Sequence, residues 1–90
     1  MQKHTKIYLN HFGLGDQDII FCEYSYIKYG AMIRAGSTHH IIYRSHGGTD
    51  DIINLMALSS DVHNKAHQEQ ISKSEFQEVH LEFMNNNNPY

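Results

Sequence analysis

Ninety residues sit within the size of one ordinary domain, and a chain this short buries only about 60–65% of the surface it exposes when unfolded. Seven Lys and Arg against ten Asp and Glu give a formal charge of -3, which excludes a polybasic arm or a broad cationic field as the means of holding nucleic acid. The single cysteine, Cys22, cannot close an internal disulfide, residues 1–10 lack the apolar core of a signal peptide, and no run approaches the roughly 18 apolar residues that span a bilayer. A soluble, cytoplasmic chain without a membrane partner is expected.

The first 35 residues are rich in aromatic and β-branched side chains, from Ile7 and Tyr8 to Tyr26, Ile27 and Tyr29, and are broken by Gly13, Gly15 and Gly30. They read as short strands or irregular turns. The run THHIIY at 38–43 is β-prone, and RSHGGTDD at 44–51 supplies turn chemistry, with Gly47 and Gly48 suited to positive φ. LMAL at 55–58 reads as a second strand entering a helix near Asp61, which Ser59 or Ser60 can cap. Ser72 with Glu75 forms a capping-box pattern, and Phe76, Val79, His80 and Phe83 follow at helical spacing, so a C-terminal helix should pack back as core. The asparagines at 85–88 before Pro89 form a polar end that is expected to be mobile. The elements predict a small single α+β domain.

Eight histidines outnumber the seven lysines and arginines. On a helix His63 and His67 share a face on adjacent turns. Such a pair alone fits two solvated histidines as well as two metal ligands. A third imidazole tips the balance, and it can come from His39 or His40, because adjacent strand residues face opposite sides and one of the two can meet the helix pair. The other stays uncoordinated, and a free imidazole beside a cation can take a proton from water near neutral pH.

The segment HHIIYRSHGGTDDIINLMALSSDVHNKAH, from His39 to His67, resembles the HNH endonucleases and their ββα-metal finger, and short phage-type members most of all. The resemblance rests on His-His, Gly-Gly, Asp50 or Asp51, Asn54-Leu55 and the helical H-x-x-x-H in that order, and covers about a third of the chain. It implies an HNH domain over 1–84 with its finger at 37–70 and a flexible tail at 85–90. It implies His39, His63 and His67 as ligands of one divalent metal (Mg, Mn, Ni, Co or Zn), and His40 as the base that activates water. Asn54 joins His40 in the catalytic set by tying the loop and holding the base against a backbone carbonyl. The implied reaction is hydrolysis of DNA, with nicking or low-specificity cutting, in a host cytoplasm if the chain is phage-encoded.

Arg44 and Lys65 near the motif, and His46 in the loop, are the candidate phosphate contacts. Members that carry a structural zinc use two C-x-x-C pairs; here those places read Cys22 with Ser25 and Ser59 with Val62, so that zinc should be absent and apolar packing or a homodimer must support the fold. His4, His11, His46 and His80 have no partner spacing and default to surface or helix-face positions. The tyrosines at 24, 26 and 29 could stack bases but fit core or edge packing better. The competing function is a noncatalytic metal-bound module that docks on DNA or a larger assembly, which would close its metal site with His46 or Asp50. A histidine-rich metal buffer is the third reading.

Overall fold

Two four-residue strands, β1 (Ser37–His40) and β2 (Leu55–Leu58), pair antiparallel, with His39 opposite Met56 and His40 opposite Leu55. The computed structural model describes residues 2–85 and 87–90. Cross-strand partners share a face and neighbours alternate, so this register sorts the sheet into two sides. Met56 and Leu58 join Cys22, Ile41, Val62, Ala66, Phe76 and Val79 in one apolar cluster. Leu55 and Ala57 join Tyr8 in the other, with Ile7, Phe12 and Ile20 packed around it. Every residue of β2 is buried, which is why LMAL is a continuous apolar run and not an alternating one.

Helices cover both sides. In chain order they are α1 (Lys3–His11), α2 (Glu23–Tyr29), α3 (Ser60–His67) and α4 (Lys73–Met84). The Ser59 hydroxyl caps α3 by accepting from the Val62 amide at 3.3 Å, and Ser72 caps α4 by accepting from the Glu75 amide at 3.1 Å. Only half of the expected capping box forms, because the Glu75 carboxylate instead accepts from the Tyr24 hydroxyl at 2.6 Å. Phe76, Val79, His80 and Phe83 are the buried face of α4, as their spacing predicts.

The amino-terminal third departs from expectation: it holds α1 and α2 where short strands or turns were read, and its β structure among the described residues is one bridge between Phe21 and Arg34. Aromatic and β-branched side chains favour strands only weakly. Tyr8, Leu9 and Phe12 lie on one side of a helical turn, and a helix there covers the Leu55–Ala57 face of the sheet. Gly30, at φ 64°, ends α2 in the left-handed conformation that glycine favours. The first strand is also shorter than expected, stopping at His40; the Ile41 amide still donates to the Asn54 carbonyl at 2.9 Å before the chain turns away.

The expected mobile tail includes Asn86, which lies outside the described residues. Tyr90 packs near Phe12, Phe21 and Phe83, and its hydroxyl accepts from the Phe21 amide at 2.9 Å. No helix is long and apolar enough to cross a membrane among the described residues.

Candidate metal centre

β1 turns His39 toward α3 and His40 toward α1. On the α3 side, His39, His63 and His67 each offer a ring nitrogen, and these nitrogens lie within 4.8 Å of one another. His39 is buried, His63 half-buried and His67 exposed, so the cluster opens to solvent at one side. Nδ1 of His63 is 3.0 Å from the Ser37 hydroxyl, and its Nε2 is 2.9 Å from Nε2 of His67. With Nδ1–H donated to Ser37, His63 keeps a lone pair on Nε2 and accepts there from His67. A cation can replace that shared proton.

Burial, followed by the neighbouring His63 and His67, pushes the His39 pKa down to about 4; burial and then His67 lower that of His63. Both imidazoles therefore favour the neutral form that ligates metal. An anchored Nδ1–H with a free Nε2 is also how a coordinating histidine is usually oriented. The donor set fits a divalent ion: three nitrogens suit Zn²⁺, Ni²⁺ or Co²⁺ better than Mg²⁺, which prefers oxygen. Neither His46 nor Asp50 belongs to the cluster.

On the α1 side, Nε2 of His40 lies 2.8 Å from Asp50 Oδ1. A carboxylate can only accept, so His40 donates from Nε2. Arg44 Nε is 3.4 Å from the same nitrogen, which cannot both donate to Asp50 and accept from Arg44; the shorter, charge-assisted contact takes it. Arg44 also reaches both Asp50 oxygens through Nη2 at 2.7 Å. Hydrogen bonds from His40, then Arg44, hold the Asp50 carboxyl down at about 2, so it stays ionised. The His40 ring nitrogen is thus partnered by a carboxylate where the resemblance implies a backbone carbonyl. His4 of α1 packs its ring 4.6 Å from that of His40, at 55°; burial, and then its neighbours His40 and Arg44, lower its pKa.

Asn54 closes the loop. Its Oδ1 accepts from the Ile42 amide at 2.8 Å, and its Nδ2 donates to the carbonyls of Ile42 at 3.1 Å and Thr49 at 2.8 Å. Gly47 takes positive φ, at 88°. Gly48 is needed for a different reason: a Cβ there would lie 1.8 Å from the Ile42 carbonyl oxygen.

The candidate phosphate contacts scatter. Arg44 is held by Asp50, Lys65 pairs with Asp61 one turn away at 3.5 Å, and His46 is exposed beside Tyr43. Lys73, which the sequence did not single out, stands 4.9 Å over the Tyr43 ring, and that ring stacks on His67 at 19°. At the places of the two C-x-x-C pairs, Cys22 and Val62 join one apolar cluster, and the Ser25 hydroxyl donates to the Cys22 sulfur at 3.3 Å. Apolar packing occupies the position where the resemblance would place a structural zinc.

His80 takes the helix-face position, on the buried side of α4. It is buried, with Nδ1 2.6 Å from Glu23 and Nε2 donating to the Ile52 carbonyl at 2.7 Å. Glu23 is itself buried and accepts from the Tyr8 hydroxyl at 2.5 Å and the Ala57 amide at 3.3 Å. No local spacing announces this group, since Glu23 and His80 are 57 residues apart.

Two strands, a capped helix and a three-histidine cluster define the class: a ββα finger whose histidines form a candidate metal site. Residues 27–69, just under half of the chain, match the family model described as HNH endonuclease. No curated protein and no solved structure matches the chain.

Proposed function

We propose that the protein is a metal-dependent DNA endonuclease in which His39, His63 and His67 hold one divalent cation and His40 is the base. The observation that carries this reading is the division of labour across one short strand. Three ring nitrogens within 4.8 Å lie on one face, and an imidazole bonded to an ionised carboxylate lies on the other. The family match over 27–69 supports nuclease chemistry at this site.

His40 donates Nε2–H to Asp50 and so keeps its lone pair on Nδ1. A proton drawn from water onto Nδ1 makes an imidazolium, and the adjacent Asp50 carboxylate stabilises that charge. Asn54 holds the loop that carries Arg44 and Asp50, and thereby the orientation of His40. Arg44, Lys65 and His46 are the phosphate contacts this reading offers. The metal, when bound, supplies Lewis-acid stabilisation of charge on the phosphate and on the departing 3′ oxygen. The products are 5′-phosphate and 3′-hydroxyl ends. Residues 1–84 form the nuclease unit, because α1, α2 and α4 bury the two faces of the sheet.

Supercoiled plasmid and single-stranded DNA, incubated with protein and Mg²⁺, Mn²⁺, Ni²⁺ or Zn²⁺, test the proposal. Nicked, linear or shortened products are expected, and His40→Ala should abolish them while still binding metal. Cutting by His40→Ala at the parent rate would remove His40 from the mechanism. Metal binding with no cutting in any of these ions would favour the noncatalytic docking module.

A further inference from the structure

A cleft of about 290 Å³ lies beside the histidine cluster and shares His39 with it. Ile41, Ala66 and Phe76, all buried, form its apolar floor, and the more exposed Tyr43, Lys73 and Glu69 stand at its mouth. Tyr43 links the two sites by stacking on His67 while carrying the Lys73 ammonium over its ring. Lys73 makes no ion pair among the described residues. Pockets for whole drug-sized ligands begin at roughly 300 Å³, so this cleft suits one ring system and not a helix or a peptide.

The lining selects the occupant. An apolar floor penalises a phosphate, which would lose its water there. It accepts a flat ring whose polar edge stays at the mouth, near Lys73 and Tyr43. A nucleotide whose phosphate lies at the cluster has such a ring within reach. In a duplex the faces of the bases are buried in the stack and only their edges are presented in the grooves, so a base enters a concave site only when unpaired. The charge of the chain points the same way. A duplex presents one phosphate per about 1.7 Å of axis and a single strand half that density, and a protein of net charge -3 meets the sparser field at lower cost.

We infer that this cleft is a subsite for one unpaired nucleobase adjoining the phosphate at the histidine cluster, which makes single-stranded or locally opened DNA the preferred substrate. The inference rests on the nuclease reading above and adds the substrate form to it.

Fluorescence anisotropy with the Zn²⁺-loaded His40→Ala protein separates the two. A labelled single strand should bind at least about tenfold more tightly than the same sequence as a blunt duplex. Adding Lys73→Ala, an exposed substitution, or Ala66→Leu, which fills the floor, should weaken single-strand binding about fivefold and leave duplex binding unchanged. Equal affinity for both forms, or single-strand binding that neither substitution weakens, overturns the subsite even if the parent protein cuts plasmid. Selective single-strand binding that depends on Lys73, from a parent that cuts nothing, supports the subsite and overturns the nuclease reading.

Discussion

Asn54 and Ile42 are joined by two hydrogen bonds, amide to side-chain oxygen at 2.8 Å and side-chain nitrogen to carbonyl at 3.1 Å, so that one side chain does the work of a strand neighbour where β1 has already ended. The same nitrogen also donates to Thr49, which draws the far side of the loop inward. Asn54→Ala leaves the Ile42 amide and two carbonyls without these partners, and should cost roughly 2–4 kcal/mol. Urea denaturation with an unchanged m-value is the measurement. Gly48→Ala attacks the same loop from the other side, by steric overlap with the Ile42 carbonyl, and should destabilise by at least about 1–3 kcal/mol.

Ser37 lies 3.0 Å from His63 Nδ1 and stands outside the proposed ligand set. Ser37→Ala should lower Zn²⁺ affinity about tenfold, as loss of a histidine's outer partner commonly does. Competition with a chromophoric chelator reads this directly. Zn²⁺ at 100 times its Kd should stabilise the parent by about 2.7 kcal/mol, and a chelator should remove that gain. An unchanged affinity in Ser37→Ala would mean that another contact fixes the His63 ring.

The buried pair of Glu23 and His80 makes stability depend on pH. Burial alone would lower the His80 pKa, but the hydrogen bond and charge of Glu23, with the Ile52 carbonyl, outweigh it and raise the net value. A histidine raised in the folded state binds its proton more tightly there than when unfolded. Its contribution is therefore complete below the unfolded value of 6.5 and is lost as pH rises through the folded value. Unfolding free energy should fall from about pH 6.5 upward, and His80→Gln should flatten that slope. Denaturant titrations at pH 6 and pH 9 on both proteins decide the matter.

The finger was readable because each of its signals is local. His63 and His67 lie one turn apart, the serine caps sit immediately before their helices, and LMAL is apolar throughout. What surrounds it was not readable, because the deciding contacts are distant in sequence. Nothing at Tyr8 or Glu23 signals that they will meet His80. Strand propensity misled at α1 because the need to cover Leu55 and Ala57 outweighs it. The His40–Asp50 bond lay between these extremes: both residues stood within the motif, but the resemblance directed attention to a backbone carbonyl as the partner. His4 against His40 needed the three-dimensional path of α1.

β2 lies between two apolar clusters, and much of both comes from outside residues 27–69. A peptide trimmed to that segment would lose Tyr8 from one flank and Phe76 and Val79 from the other, leaving Leu55 and Met56 wet at roughly 25 cal/mol for each Å² uncovered. Shortened versions intended to isolate the chemistry should therefore keep both terminal helices, or the excised finger will lack the cover its sheet needs for any persistent shape.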